Sequence, residues 1–323
     1  MPSLHPPTFQ DVLAAHKRIK PYLAPTPLYH YPLLSELVGA EVWVKHENHQ
    51  PVGAFKVRGG INLVSQLSPE EKEKGVITAS TGNHGQSIAY AARLFGVRAI
   101  VGMPEGANPG KVAAIRQLGA EIMFHGKDFD DARQRVEELA QQEGYRYVSS
   151  GDEPHLIAGV GTHTLEILGE LPDADAIIVP VGGGSGASGT CIAAKAIDPD
   201  IQVIGVQAEK APSAYLTWKA RERVEAKMET FAEGLATRAP FMLPQSILWE
   251  LLDDFLLVSE EEMLRCIVHF LERTHNLAEG AAATSLAAAL RLRDRLARKK
   301  VVLIMTGGNL SLSNLRRALE ASS

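Results

Sequence analysis

Residues 176–189 read Ala176-Ile177-Ile178-Val179-Pro180-Val181-Gly182-Gly183-Gly184-Ser185-Gly186-Ala187-Ser188-Gly189. The first six are apolar on both faces of an extended chain, which predicts a parallel strand covered by helices on either side. Small residues then lead into a helix. Open α/β sheets bind ligands at such junctions, beyond the carboxyl ends of their strands. Glycines let backbone N–H groups converge on an anion, and a helix N-terminus adds a favourable dipole. The three consecutive glycines Gly182, Gly183 and Gly184 exceed what a tight strand-to-helix turn needs, so phosphate is the expected ligand. The same stretch matches G-x-G-x-x-G as Gly184, Gly186 and Gly189, and Glu209 stands 20 residues on, where a ribose-binding acid would sit. On this motif alone a nicotinamide-dependent dehydrogenase competes.

Outward from this junction the pattern alternates. Val42–Lys45, Gly75–Ala79, Val97–Met103, Glu121–Phe124, Ile201–Val206 and Val301–Met305 read as further strands, with helical stretches between them. Pro109 is placed at a first helical position after the cap Asn108. Asp128 is read as the cap of a helix over Asp130–Glu143, stopped by Gly144, with Arg133, Arg135, Glu137 and Glu138 on a solvated face. Ala278–Ala297 is helical by propensity. The result is an α/β fold with open, mainly parallel sheets covered by helices. At roughly 150 residues per domain, 323 residues make about two domains. No repeat or linker-like stretch separates them, so they are expected to interlock, with Arg238–Pro244 as a boundary or lid.

Composition excludes several classes. The 33 Lys and Arg against 38 Asp and Glu give a net charge of −5 without a basic stripe, which argues against nucleic acid as a partner. Cys191 and Cys266 cannot make a disulfide framework or a four-thiolate zinc site, and read as buried hydrophobes in a reducing cytoplasm. Met1–Pro7 carries no signal-peptide pattern. The longest apolar runs are strand-sized, short of the ~20 residues needed to cross a bilayer, so no membrane partner is expected.

Three more loops could carry chemistry. In Gly53-Ala54-Phe55-Lys56-Val57-Arg58-Gly59-Gly60, a helix N-terminus and Arg58 both disfavour a second positive charge, so Lys56 is a candidate neutral nucleophile able to form a Schiff base. The competing reading is a solvated surface lysine. Ser80-Thr81-Gly82-Asn83-His84-Gly85 offers hydroxyls and backbone N–H groups to a carboxylate, or simply a helix cap at Ser80 or Thr81. Thr306, in Met305-Thr306-Gly307-Gly308-Asn309, offers a neutral hydrogen bond or merely a turn. His46-Glu47-Asn48-His49 lacks the zinc-helix spacing and is set aside, and His163 and Glu166 read as structural.

Taken together, these residues resemble a known family. Lys45, Glu47, Pro51 and Gly53–Gly60 are similar to the lysine motif of the serine/threonine dehydratases, pyridoxal-phosphate enzymes that include threonine deaminases and serine racemases. Ser80–Gln86 resembles their substrate-carboxylate loop, Val181–Gly186 their phosphate loop, and Thr306–Asn309 the segment facing the pyridine nitrogen. The likeness runs from about Leu13 to Leu319. It implies the two-domain fold of the tryptophan synthase β-subunit-like (fold type II) enzymes, with residues 52–147 as a smaller α/β domain inserted into a larger one, 1–51 and 148–323. Since the sequence ends at Ser323, no C-terminal regulatory domain is expected. It implies pyridoxal 5′-phosphate as cofactor, held by Lys56 in a Schiff base. Phe55 would pack near the ring and Asn83 would reach the ring hydroxyl. Gly182, Gly183, Gly184, Ser185 and Gly186 would hold the phosphate, and Glu279 and Thr306 would stand near the pyridine end. Ser80, Thr81, Gly82, Asn83 and His84 would bind the amino-acid substrate.

The implied activity is dehydration and deamination of a β-hydroxy amino acid, threonine or serine, to a 2-oxo acid and ammonia. A racemase, or a dehydratase of another hydroxy amino acid, is the alternative. A cytoplasmic homodimer or higher homo-oligomer is implied as well. Three positions depart from the family pattern: Ser185 replaces a fourth glycine, Thr306 replaces Ser or Cys, and Thr81 replaces Ala or Ser. Related enzymes hold Mg²⁺ or Ca²⁺ just beyond the strand ending at Val206, which would make Glu209 a metal ligand. The second acid expected near Tyr215 is absent and Lys210 adjoins Glu209, so Glu209 as a surface acid, or as a partner of Lys210, is preferred.

Overall fold

The structure, a computed structural model, describes residues 4–127 and 129–321. Its ten strands are β1 (Leu28–His30), β2 (Glu41–His46), β3 (Val76–Ala79), β4 (Ala99–Met103), β5 (Glu121–Phe124), β6 (Arg146–Tyr147), β7 (Ala176–Pro180), β8 (Gln202–Ala208), β9 (Asp254–Val258) and β10 (Lys300–Met305). They form two sheets. The larger runs β1-β2-β10-β7-β8-β9 and the smaller β5-β4-β3-β6. Every pairing is parallel except that of β1 with β2. All seven expected strands are present. β1, β6 and β9 were not legible, because two are only three and two residues long and β9 alternates weakly.

β3, β4 and β7 are buried along their whole length, as parallel strands sandwiched by helices must be. One core lies between the larger sheet and the helices Glu260–Thr274 and Gly280–Arg291; another covers the opposite face with Cys191 inside it. A third joins Val12, Ala15 and Ile19 of the first helix to Val57, Ile61 and Ile88 beside the smaller sheet, and so ties the two sheets together. Cys191 and Cys266 are both free and buried. Among the described residues no helix is long and apolar enough to cross a membrane.

Several local expectations need correction. The helix ending at Glu143 starts at Phe129 and stops at Gly144, whose φ is +76°; the expected cap Asp128 lies outside the described residues. On that helix Arg133 and Glu137 keep partly exposed side chains and also line the rim of a cleft. The stretch Ala278–Ala297 is a helix over Gly280–Arg291 followed by a second, one-turn helix, Arg293–Leu296, because the chain leaves helical geometry at Leu292. Pro244 is not loop: it lies in the first turn of the helix Met242–Leu251, where its missing N–H costs nothing. Asn108 does cap the helix that opens with Pro109, accepting from Gly110 N–H at 2.9 Å.

Candidate active site

The loops after β3, β6, β7 and β10 face one cleft of about 1650 Å³, with the segment carrying Lys56 at its edge. The cleft therefore opens at the carboxyl ends of strands from both sheets. Every expected site residue lines it except Glu209.

Lys56 is fixed by its neighbours. Phe55 N–H donates to Thr306 O at 3.0 Å and Gly308 N–H to Gly53 O at 2.9 Å, so this segment is zipped to the loop after β10. The Lys56 carbonyl accepts from Ser87 Oγ at 2.6 Å. Its amine donates to Ser185 Oγ at 2.7 Å and to Ser150 O at 3.3 Å, and stands 5.3 Å from the Phe55 ring centre. Burial lowers the amine to about 8, which gives a neutral fraction near physiological pH.

Arg58 has no part in that shift. It is turned away into a closed ion cluster, 1 % exposed. Nε and Nη2 reach Glu47 at 2.7 and 2.8 Å; Nη1 and Nη2 reach Glu166 at 2.6 and 2.7 Å. Lys45 closes the cluster on Glu166 at 2.7 Å. The Arg58 guanidinium holds the Glu47 carboxyl at about 2 against the opposing effect of burial. Glu166 is thus structural as expected. So is His163, which is fully buried, bonded to Thr190 at 3.0 Å and edge-on to Phe55.

The glycine loop is built for a ligand to meet main chain. At Gly182 an added Cβ would stand 2.0 Å from Gly234 O, so no side chain fits. Gly184, at φ +89°, turns the chain into the helix Ser185–Ile197. The N–H groups of Gly182, Gly183 and Gly184 meet no acceptor among the described residues, and the first-turn N–H groups of the helix add to them. This set matches a phosphate.

After β3, Ser80 Oγ accepts from Gly82 N–H at 3.2 Å and Gly85 N–H at 2.9 Å. Ser80 thus satisfies the helix start, although Gly82 occupies the cap position. Thr81 lines the cleft with no side-chain partner among the described residues. His84 faces inward: the Thr78 hydroxyl donates to Val148 O at 2.8 Å, so its oxygen accepts from His84 Nε2–H at 2.9 Å. Burial lowers the His84 ring to about 3 and keeps it neutral, so its side chain is a support for the loop and not a cation for a carboxylate.

Asn83 bridges the two sheets. Its Nδ2 donates to Glu279 Oε1 at 2.9 Å and its Oδ1 accepts from Asn309 Nδ2 at 2.8 Å. Burial raises the Glu279 carboxyl, opposed by that Asn83 bond. Thr306, 4 % exposed, presents its side chain at the same end of the cleft. Ser150 lines the cleft and Ser87 supports the Lys56 carbonyl from outside it, and neither carried a sequence signal; the strand before Ser150 is too short to announce a strand-end loop.

Glu209 is exposed just beyond the end of β8 and accepts from Arg291 Nη2 at 3.0 Å, with Arg291 also paired to Glu262 at 2.6 Å. The surface-acid reading therefore stands with Arg291, not Lys210, as partner, and a guanidinium occupies the flank a cation would need. The acid that a dinucleotide's ribose would require is likewise outside the cleft.

A family model described as "Pyridoxal-phosphate dependent enzyme" matches residues 19–307. An L-threonine ammonia-lyase of Thermotoga maritima is 39 % identical over 314 residues, 97 % of this chain and 78 % of that protein. The solved structure of the processed form of threonine deaminase isoform 2 from Solanum lycopersicum superposes with a TM-score of 0.93 at 32 % identity, covering 99 % of this chain and 97 % of that one. Serine racemase from Dictyostelium discoideum gives a TM-score of 0.89 at 36 % identity, covering 95 % and 99 %.

Proposed function

The chain belongs to the pyridoxal-phosphate dependent enzymes, and on that premise we propose that it is an ammonia-lyase converting L-threonine to 2-oxobutanoate and ammonia, or L-serine to pyruvate and ammonia. The observation that carries this reading is the Lys56 amine, lowered toward neutrality, set in one cleft with glycine-loop N–H groups that meet no acceptor among the described residues and with the neutral hydroxyl of Thr306.

Pyridoxal phosphate, when bound, supplies a carbonyl carbon that an amine can hold and a conjugated ring that takes up an electron pair. Lys56 Nζ would be the amine that holds it, and the backbone N–H groups of Gly182, Gly183, Gly184, Ser185 and Gly186 would receive the phosphate. Lys56, when not holding the group, would serve as general base for the substrate's α-proton. Thr81 and the first-turn N–H groups after Gly82 hold the substrate carboxylate and orient the Cα–H bond. Asn83, held between Glu279 and Asn309, fixes that loop against the larger sheet. Thr306 would offer the group only a neutral hydrogen bond, an arrangement that would favour loss of the β-hydroxyl over transamination. The substrate gives up water, and the resulting enamine hydrolyses to the 2-oxo acid and ammonia.

Thr81 supports a second reading. Its hydroxyl, without a partner among the described residues, would return a proton to the α-carbon, which is racemisation. Incubation with L-threonine, L-serine and other hydroxy amino acids, with oxo-acid, ammonia and chiral analysis, separates the two: ammonia release supports the lyase, and the D-enantiomer without ammonia overturns it. A cytoplasmic homodimer belongs to the same proposal, and sedimentation tests its oligomeric part.

A further inference from the structure

The hydroxyl at position 185 does not serve the loop in which it stands. Ser185 is 1 % exposed, opens the helix Ser185–Ile197, and places its Oγ 2.7 Å from Lys56 Nζ. Its backbone N–H is one of the first-turn donors available to an anion. Main chain and side chain of one residue thus face different partners. We propose that Ser185 is a positioning residue for Lys56, docking the amine whenever it is not holding the cofactor; this rests on the reading of Lys56 as the cofactor lysine and proton carrier.

The chemistry follows from what a hydroxyl can do. A hydroxyl both accepts and donates, whereas a carbonyl only accepts. As an ammonium, Lys56 donates to Ser185 Oγ and to Ser150 O. As a neutral amine it still donates to Ser150 O, and its lone pair accepts the Ser185 O–H. The dock therefore holds the amine before and after it takes a proton. A glycine at 185 would leave only the Ser150 carbonyl, at 3.3 Å. Phe55 limits the amine's freedom on the other side, its ring packed so closely over the loop that a Cβ on Gly186 would meet it at 3.1 Å.

The charged groups around Lys56 leave this role to Ser185. Arg58, on the same helix, is turned into Glu47 and Glu166. His84, from the helix Asn83–Phe95, is the titratable ring whose field couples with Lys56, and it is held neutral. Glu279 is engaged by Asn83.

The test uses full-length Ser185→Ala, Ser185→Gly and Ser185→Thr. In protein freed of cofactor, the pH dependence of Lys56 acetylation by acetic anhydride is followed by peptide mass spectrometry. A hydrogen bond to a charged group is worth more than one to a neutral group, so Ala and Gly should lower the midpoint by about one pH unit, while Thr keeps it. In the holoenzymes, Ala and Gly should cut kcat roughly tenfold with KM nearly unchanged and the cofactor absorbance retained. Equal midpoints and equal kcat in Ala, Gly and wild type, with the cofactor linked to Lys56, would overturn the dock alone. A wild-type protein whose cofactor is not linked to Lys56 would overturn the parent reading instead.

Discussion

Glu47→Gln removes one charge from the buried ion cluster beneath Lys56 while keeping its shape. In the native protein Lys45 and Arg58 balance Glu47 and Glu166. The substitution leaves one positive charge in excess at a site where Glu47 is 0 % exposed. Two routes give the magnitude. Holding the carboxyl at about 2 instead of 4.5 corresponds, at 1.36 kcal/mol per pH unit, to about 3 kcal/mol. Breaking a buried pair by removing one partner costs roughly 3–5 kcal/mol. At roughly 2 °C per kcal/mol for a large domain, the melting temperature at pH 7.5 should fall by about 6 °C. The sign with pH is fixed too. The native carboxyl titrates below the unfolded one, so its contribution is complete above about 4.5 and fades as pH falls toward about 2. Calorimetry of both proteins at pH 7.5, 5 and 4 should show a gap that is constant and then begins to narrow. A gap under 1 °C at pH 7.5, or one that widens on acidification, would refute the reasoning.

Other substitutions probe the cleft itself. Gly182→Ala puts a Cβ 2.0 Å from Gly234 O, so the loop must shift; overpacking of this kind costs about 1–3 kcal/mol, and cofactor affinity, titrated by absorbance, should drop at least tenfold. Thr306→Ala should leave the cofactor bound and slow turnover roughly tenfold, since one neutral hydrogen bond is lost. Thr306→Asp should instead raise the ratio of transamination to ammonia release, measured as aminated cofactor per oxo acid formed; an unchanged ratio would remove the role given to the neutral hydroxyl.

What was legible in the sequence was whatever a local pattern encodes. Val301–Met305 and Ala176–Val181 announced parallel strands because both faces are apolar, and Gly182–Gly184 announced the junction between the second of these and the helix Ser185–Ile197. Contacts between distant segments were not legible. Arg58 beside Lys56 in sequence read as a repelling charge, yet Glu166, more than a hundred residues away, draws it to the other side of the helix. The bonds by which Asn83 ties its loop to Glu279 and Asn309 of the larger sheet left no mark in the local sequence. Glu209 adjoins Lys210 but pairs with Arg291, because two helices and a strand end meet there. Ser150 stayed hidden because a two-residue strand leaves no periodicity to read.

The central claim is that Lys56 carries the cofactor and works as the proton base. The purified protein, reduced with borohydride and digested, should yield one pyridoxyl-modified peptide spanning Lys56. Lys56→Ala, treated in the same way, should yield none and release no ammonia from threonine or serine. A modified lysine elsewhere, or Lys56→Ala turning over at near the native rate, would contradict the account.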